Sequence, residues 1–364
     1  MKILIVANND VGLYKFRREL IEELVKLHDV NICLPQGEYI SNLVEMGCVY
    51  HRCEFDRHGT NVLAEVKQIS FYKSLLKSIK PSIVLTYTIK PNIYAGMACA
   101  SLKIPYVANI TGLGTAIENG GLMQKLLLRL YKRGLRKAQK VFFQNKSNLD
   151  FLVGKGIVAG QYDLLPGSGV NLNEHKKEPY PEKDDSLVFV NIGRIMKDKG
   201  SDEVLHAAHI IRQEFPNTIF RIIGDFDGDY REKIESAVAL GDIEYLGQQS
   251  DVHAHIKNSH AIIHASYHEG MSNVLLEAAA CARPVIATDV PGCCETYDDG
   301  ISGISCRPHS GDDLVRAIRK FIHLSYEEKA AMGISGRHKV EKEFDRQIVV
   351  KCYMNEIDKI SVKE

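Results

Sequence analysis

Short, continuously apolar segments alternate with amphipathic segments along nearly the whole chain, and this alternation constrains the fold more than any other feature. In the first half, segments rich in β-branched and aromatic residues lie at residues 3–7, 30–35, 83–87, 106–110 and 141–144. Amphipathic stretches such as 15–27 and 65–79 lie between them. A strand that is apolar at every position is buried on both faces, which is typical of a parallel sheet with helices on each side.

The alternation stops at residues 171–185, a polar stretch that contains two prolines, and then starts again. Five more strands are predicted at residues 187–192, 219–224, 243–246, 261–265 and 284–288. Helices are predicted between them and at residues 311–323, 326–343 and 347–360. Because a chain of 364 residues exceeds one ordinary core, we predict an α/β protein with two doubly wound, Rossmann-like domains that face a cleft. The expected boundaries are 1–165, a linker at 166–186, a second domain at 187–345, and a C-terminal helix at 346–364 that crosses back to the first domain.

The net charge is zero, but the two halves differ. Residues 1–165 hold 22 Lys and Arg against 13 Asp and Glu, or +9, and the remainder holds 24 against 33, or −9. The first half is therefore expected to meet an acidic partner, such as a phospholipid surface or a phosphorylated acceptor. No binding motif accompanies the charge, so nucleic acid is not an expected partner.

The nine cysteines form no CxxC pair, which favours reduced thiols in a cytoplasmic protein. The opening MKILIVANN is typical of a strand rather than a signal peptide. No apolar run reaches the roughly 18 residues that span a bilayer. We expect a cytoplasmic location, with any contact to the inner face of the cell membrane being peripheral.

Ligands of doubly wound sheets bind at the carboxyl ends of the strands, so the turns that follow strands are the candidate sites. Arg194 follows the strand at 187–192, and Lys199 lies five residues later. Two such cations can converge on a diphosphate. The alternative is that both are solvated surface cations.

The second candidate turn is YHEGMSNVLLEAAACARP, residues 267–284. Glu269 and Gly270 form a turn, and Ser272 or Asn273 caps the helix that follows. The first N–H groups of a helix attract anions, and a carboxylate such as Glu277 suits sugar hydroxyls. The alternative is that Glu277 pairs with a buried arginine or with backbone.

Glu269 and Glu277, with seven residues between them, resemble the E-x7-E signature of glycosyltransferase family 4, retaining enzymes of the GT-B fold. Further segments resemble that family: GRIMKDKG, IIGDFDGDY, YLGQQSDV and RPVIATDVPGCCE. The resemblance is strong over residues 187–310 and weaker, though continuous, over the first domain. Within the family, TYTIKPNIYAG and ITGLGTA look like bacterial capsule, O-antigen and glycan-assembly transferases, which often use UDP-linked N-acetylhexosamines or related sugars.

The resemblance implies roles for single residues. Arg194 and Lys199 would hold the donor diphosphate, Glu277 the ribose hydroxyls and Glu269 the donor hexose. The backbone from Gly270 through Met271, Ser272 and Asn273 to Val274 would complete the donor site. Glu269, Arg194 and Lys199 would be the catalytic residues, and no metal or other cofactor is expected.

The first domain would then face the acceptor. Many family members place a histidine in the loop that is 109–114 here, and this chain has none. Thr111 or backbone is the expected substitute. In the loop after the first strand, Gly12 would approach the diphosphate. Asp10 either orients an acceptor hydroxyl or forms the turn.

Three other patterns are weighed and set aside. Gly112-Leu113-Gly114 lacks the third glycine of a dinucleotide fingerprint. The run 225–229, DFDGD, suggests a DxD metal motif or a calcium loop, but position twelve of that loop is Ser236 rather than Glu. His264 and His268 flank a strand end and are interpreted as core or surface histidines.

Residues 123–140, MQKLLLRLYKRGLRKAQK, hold seven cations and no anions. Leu126, Leu127, Leu130 and Leu135 supply its apolar positions. This segment is the candidate for docking on an anionic membrane. Packing on the sheet with a solvated basic face is the alternative, and both can hold together.

The sequence therefore predicts a metal-independent, retaining glycosyltransferase. It would move a hexose or N-acetylhexosamine from a nucleotide-sugar, expected to be a UDP-sugar, to a lipid-linked or saccharide acceptor such as a polyprenyl-diphosphate glycan. The alternatives are a GT-B sugar-nucleotide 2-epimerase and a non-catalytic nucleotide-sugar-binding subunit. The sequence does not specify the base, the hexose, the acceptor, the linkage or the oligomeric state.

Overall fold

The computed structural model describes residues 1–53, 62–114, 117, 120–183 and 186–361. The chain forms two compact units, Met1–Ser168 with Arg346–Glu364, and Gly169–Asp345. Residues 115–116 of the ITGLGTA segment and 184–185 of the expected linker lie outside the described residues. No described helix is long and apolar enough to cross a membrane.

The first unit is built on a seven-stranded parallel sheet. Its strands are β1 (Lys2–Val6), β2 (Asp29–Leu34), β3 (Val49–Arg52), β4 (Ile83–Tyr87), β5 (Tyr106–Ile110), β6 (Lys140–Phe143) and β7 (Tyr162–Leu164). They are ordered β3-β2-β1-β4-β5-β6-β7. The helices of this unit are α1 (Asp10–Leu27), α2 (Ile40–Glu45), α3 (Val62–Ile79), α4 (Ile89–Leu102), α5 (Gly121–Leu135) and α6 (Lys146–Gly154).

The apolar strands of this sheet contribute alternate side chains to two separate cores. On β1, Leu4 and Val6 belong to one core, and Ile3 and Ile5 belong to the other. This two-sided burial explains why the strands carry no polar period, as expected for a parallel sheet between helix layers.

The second unit repeats the design with six parallel strands. These are β8 (Leu187–Ile192), β9 (Thr218–Ile223), β10 (Glu244–Tyr245), β11 (Ala261–His264), β12 (Val285–Thr288) and β13 (Gly303–Cys306), ordered β10-β9-β8-β11-β12-β13. The helices are α7 (Ser201–Glu214), α8 (Arg231–Ala239), α9 (His253–Lys257), α10 (Asn273–Ala280), α11 (Gly311–Ile322) and α12 (Tyr326–Glu343).

The last helix, α13 (Arg346–Ser361), belongs to the first unit. Arg346 Nη1 donates to both carboxylate oxygens of Glu19 in α1, at 2.9 and 3.0 Å, and the two side chains are 6% and 9% exposed. Asn109 Nδ2, at the end of β5, donates to Tyr353 Oη at 2.7 Å. Two buried polar contacts therefore fix α13 on this unit.

The segment expected as a linker, 166–186, differs from that expectation in its packing. The compact second unit begins at Gly169, and Arg283 Nη2 donates to the Pro179 carbonyl at 2.6 Å. Tyr180 Oη donates to the His260 carbonyl at 3.0 Å. A buried arginine from later in the chain thus binds the backbone of this segment, and Tyr180 of the segment binds backbone later in the chain.

Candidate functional site

The predicted donor residues follow two neighbouring strands of the second sheet. β8 and β11 lie side by side, although they are not consecutive in the chain. At such a switch point the connections leave in opposite directions, so the loops after the two strands border a crevice. Arg194 and Lys199 follow β8, and Glu269 to Glu277 follow β11.

The loop after β8 packs closely on the loop after β11. Lys199 ends a 3₁₀ turn, Lys197–Lys199, and Gly200 then adopts φ +69°. A Cβ on Gly200 would lie 2.1 Å from the carbonyl oxygen of Ala265. Only glycine fits this approach, which places Lys199 beside the Glu269 turn.

Glu269 is contacted by side chains from two different elements. Lys199 Nζ contacts Glu269 Oε1, and His264 Nε2 lies 3.0 Å from the same oxygen. Burial alone would raise the pKa of Glu269, but the hydrogen bond from His264 and the charge of Lys199 outweigh it and lower that pKa well below its usual range. The carboxylate is therefore held ionised, and the partners that hold it belong to the protein.

His264 is the site residue that the sequence interpretation missed. It ends β11 and is buried, as expected for a core histidine, but its Nε2 also lies 3.2 Å from Ser272 Oγ. One imidazole thus connects the Glu269 turn to the cap of α10. The available signal was its position as the last residue of the strand before the E-x7-E run. His268 differs, being half-exposed with Nε2 3.6 Å from Asp198 Oδ2.

Arg194 has a different environment from Lys199. Its side chain is 63% exposed, against 24% for Lys199, and Nη1 contacts Asp227 Oδ2. Asp225 Oδ1 accepts the N–H of Phe226 at 2.8 Å. The two carboxylates of the DxD run are thus engaged by a guanidinium and by backbone. Arg194 can exchange Asp227 for an anionic ligand at little cost, because exposed ion pairs contribute little.

The helix α10 begins at the turn that carries Glu269. Ser272 Oγ accepts from the Leu275 N–H at 3.4 Å, and the Ser272 N–H donates to the Gly292 carbonyl at 2.8 Å. Met271 is buried in a core cluster, whereas Val274 and Glu277 are half-buried. Of the two residues expected to cap the helix, Ser272 does so.

Asn273 and Gly292 complete the turn. Asn273 Oδ1 is buried and has no hydrogen-bond partner among the described residues. Gly292 adopts φ +84°, and a Cβ there would lie 2.6 Å from the carbonyl oxygen of Glu269. The loop after β12 therefore supports the backbone of the Glu269–Gly270 turn.

The first-unit candidates lie in the loops after β1 and β5. Asp10 is buried and accepts the Tyr39 N–H at 2.6 Å, and a Cβ on Gly37 would meet its carboxylate at 2.2 Å. The Gly12 N–H donates to Asn9 Oδ1 at 2.6 Å, which caps α1. Thr111 is half-buried just past β5. These contacts favour the turn-forming alternative for Asp10.

Comparisons with known proteins agree with this architecture. The family model described as "Glycosyl transferases group 1" matches residues 173–339, and that described as "Glycosyl transferase 4-like" matches residues 2–145. The N,N'-diacetylbacillosaminyl-diphospho-undecaprenol alpha-1,3-N-acetylgalactosaminyltransferase of Campylobacter jejuni is 24% identical and covers 99% of both chains. The capsular polysaccharide biosynthesis glycosyltransferase CapM of Staphylococcus aureus is 24% identical over 95% of this chain and 93% of its own.

A solved structure shows the same fold at lower identity. The crystal structure of HepE from Anabaena, in complex with UDP-glucose, superposes with a TM-score of 0.79 over 99% of this chain and all of its own, at 16% identity. The two Rossmann-like units predicted from the sequence are confirmed. With both units matched by glycosyltransferase models and with relatives of full length, the chain belongs to the glycosyltransferases of the group 1 and family 4 type and has the GT-B fold.

Proposed function

We propose that this glycosyltransferase moves a hexose or an N-acetylhexosamine from a UDP-sugar to a lipid-linked or saccharide acceptor, with retention of the anomeric configuration. The observation that carries the proposal is the cluster of Lys199, Glu269 and His264 at the switch point between β8 and β11. Fixed cations suit a diphosphate and an ionised carboxylate suits sugar hydroxyls, so the cluster matches the diphosphate and the adjoining sugar of a sugar nucleotide.

The donor roles follow from the surroundings of each group. Lys199 and Arg194 would bind the diphosphate, with Arg194 leaving Asp227 to do so. Glu269, kept ionised, would accept hydrogen bonds from the hexose, and Glu277 would accept them from the ribose. The N-terminal backbone of α10, from Gly270 to Val274, would face the sugar or a phosphate.

The mechanism has to explain retention without a separate nucleophile. The Glu269 carboxylate is bound by Lys199 and His264, which favours binding sugar hydroxyls over attacking the anomeric carbon. We propose a same-face route in which the leaving diphosphate takes the proton of the acceptor hydroxyl. Lys199 and Arg194 would stabilise the charge that develops on that diphosphate, and such stabilisation is usually the largest catalytic contribution.

The acceptor is proposed from the relatives and from the charge of the first unit. The Campylobacter relative is named for a diphospho-undecaprenol acceptor, and CapM is named for capsular polysaccharide. A diphosphate linked to a membrane lipid is an acidic partner, which fits the +9 charge of residues 1–165. We propose a role in bacterial surface-glycan synthesis at the cytoplasmic face of the membrane.

The helix α5 is the proposed membrane contact. Leu127 and Leu130 pack against the core and Leu135 is buried, whereas Leu126 is 50% exposed and is not part of the packed face. Leu122 is 84% exposed beside the exposed cations of the same helix. An exposed apolar and basic surface is typical of helices that lie on anionic bilayers.

Donor binding is tested first, by thermal unfolding with UDP, GDP, ADP, NAD and a panel of UDP-sugars. A ligand at about 100 times its Kd stabilises the fold by about 2.7 kcal/mol. We expect a shift with UDP and with one UDP-sugar, and an α-linked product by NMR from an α-linked donor. A shift with GDP alone would change the donor, one with NAD alone would overturn the proposal, and binding without turnover would favour a non-catalytic subunit.

Membrane contact is tested separately, by co-sedimentation with vesicles of anionic or zwitterionic phospholipid. Replacing Leu122 and Leu126 by serine should weaken binding to anionic vesicles about tenfold or more, since each buried leucine contributes about 1.5–3 kcal/mol. Leu240→Ser is the matched control, because Leu240 is 69% exposed on the second unit. Equal binding by all three proteins would remove α5 from the membrane contact.

A further inference from the structure

Two histidines and a cysteine from three separate segments converge in the second unit. His175 lies in the segment before β8, His253 begins α9, and Cys281 follows the end of α10. One ligand atom of each lies within 4.8 Å of the other two. His175 and Cys281 are buried, and His253 is partly exposed. The sequence indicates nothing of this, because no short metal motif contains the three residues.

The donor atoms have the chemistry of a zinc site, and one pair of them already has the spacing of zinc ligands. Cys281 Sγ lies 3.4 Å from His253 Nδ1. In a tetrahedral site with Zn–S about 2.3 Å and Zn–N about 2.0 Å, the sulfur and the nitrogen are about 3.5 Å apart. Two imidazoles and a thiolate form a mixed nitrogen and sulfur set that favours Zn²⁺ over Mg²⁺ or Ca²⁺.

Glu178 orients the central histidine. Its Oε1 lies 3.1 Å from His253 Nε2, and its Oε2 lies 3.1 Å from Lys257 Nζ. A carboxylate on one ring nitrogen fixes the tautomer and leaves the other nitrogen as the ligand atom, which here is Nδ1 beside Cys281. Metal-binding histidines commonly carry such a carboxylate, and it raises their basicity.

Two buried arginines hold the backbone of the ligand-bearing segments. Arg337 Nη1 donates to the carbonyls of His175 and Ala280, at 2.9 and 2.7 Å. Arg283 donates to the carbonyls of Cys281 and Lys257, at 2.9 and 2.6 Å. The segment before β8 and the ends of α9 and α10 are therefore fixed before any metal binds, and a fixed backbone reduces the entropic cost of assembling a site.

We propose that His175, His253 and Cys281 bind one Zn²⁺ ion, with Glu178 as the positioning carboxylate and water as the fourth ligand. The ion would join the segment before β8 to α9 and to the end of α10, with one coordination position left to water. Cys281 donates its N–H to the Glu277 carbonyl at 3.1 Å, so the site adjoins the last turn of the signature helix. This proposal does not depend on the identity of the donor or acceptor.

The test uses untagged full-length protein and Co²⁺ as a spectroscopic substitute for Zn²⁺. We expect one Co²⁺ per chain, a sulfur-to-cobalt charge-transfer absorption in the near ultraviolet, and its loss when Zn²⁺ is added. Cys281→Ser should abolish that absorption. Cys306→Ser, at another buried cysteine of the same unit, should keep it. Glu178→Gln should weaken binding about 10–100-fold, which is typical of changes to outer-shell partners.

The wild-type titration decides the proposal even if a variant fails to fold. Failure of the folded wild-type chain to take up stoichiometric Co²⁺ or Zn²⁺ would overturn it, leaving a thiol–imidazole hydrogen bond. A charge-transfer absorption that persists in Cys281→Ser would place the metal elsewhere and would overturn it as well.

Discussion

Replacing Lys199 by methionine isolates the charge at the centre of the proposed site. Methionine keeps most of the length of the side chain and removes the ammonium group that contacts Glu269. A hydrogen-bond donor aimed at a developing oxyanion stabilises the transition state by about 2.7–4 kcal/mol, so we expect kcat to fall by about 10²–10³. If Lys199 acts mainly in the transition state, kcat and kcat/KM should fall together, whereas a change in KM alone would mean equal binding of both states.

The same substitution should also change the folded protein. Glu269 would keep His264 but lose the cation that helps to lower its pKa, so the pKa of Glu269 should rise. Breaking a buried pair costs about 3–5 kcal/mol. Lys199 is 24% exposed, so a smaller cost of about 1–3 kcal/mol in the free energy of unfolding is expected.

The assay is release of UDP from the donor identified by thermal unfolding, measured with acceptor present. Lys197→Met is the matched control, since Lys197 lies in the same 3₁₀ turn and its side chain is exposed. That control should keep kcat within about twofold, because an exposed cation off the site contributes little. An unchanged kcat in Lys199→Met, or an equal loss in both variants, would refute the role given to Lys199.

Three further predictions concern other charged groups. Because the pKa of Glu269 is lowered in the fold, its ionised form contributes stability that is complete above the unfolded pKa of about 4.3 and is lost as the pH falls toward the folded value. The difference in the free energy of unfolding between the wild type and Glu269→Gln, measured in urea, should therefore shrink as the pH falls below about 4.3. A difference that stays constant there would contradict the pairing. Asp227→Asn should change the free energy of unfolding by less than about 1 kcal/mol, because its pair with Arg194 is exposed. Turnover by Asp227→Asn should not depend on added Mn²⁺. If Mn²⁺ activated the wild-type enzyme but not Asp227→Asn, Asp227 would be a metal ligand. Arg346→Met should cost about 3–5 kcal/mol by removing the guanidinium that pairs with the buried Glu19 carboxylate, and the double variant with Glu19→Gln should cost less in a double-mutant cycle.

The central strands were predictable because their physics is local. A strand such as β4, IVLTY, is buried at every position and has a single polar residue, Thr86, so its composition alone marks it. β3 and β7 were not predicted. Both are outer strands with polar or exposed residues, VYHR and YDL, and their pairing depends on a neighbour far along the chain. β13 was not predicted because its four residues, GISC, include a glycine and a serine and do not form an apolar run.

The candidate site was predictable as a set of loops but not as a set of contacts. The succession of predicted strands along the chain, together with the E-x7-E run, placed Arg194, Lys199 and Glu269 just after strand ends. The contact between Lys199 and Glu269 requires β8 to lie beside β11, and the close approach at Gly200 is visible only in three dimensions. His264 was missed for the same reason, since a histidine in a buried strand gives no local sign of its partner.

The segment 166–186, expected as a linker, shows a second limit of prediction from sequence. Its prolines and charged residues are typical of side chains that face water. The sequence gives no sign that its backbone carbonyls accept hydrogen bonds from Arg283 and Arg337, which lie more than a hundred residues later. A polar segment with bound carbonyls can bring a buried side chain such as that of His175 into a core. Composition therefore predicted an exposed connection where the fold has a packed one.

Burial separates the roles proposed for Arg194 and Lys199. Lys199 is partly buried and contacts Glu269, so under the proposal its charge would be in place before the donor arrives and would need no rearrangement as the diphosphate leaves. Arg194 is mostly exposed and contacts an exposed carboxylate that it can exchange at small cost. Removing Arg194 should therefore act mainly on donor affinity, through KM, whereas removing Lys199 should act on kcat. Measured with one donor, that contrast distinguishes a cation that captures the diphosphate from one that stabilises its departure.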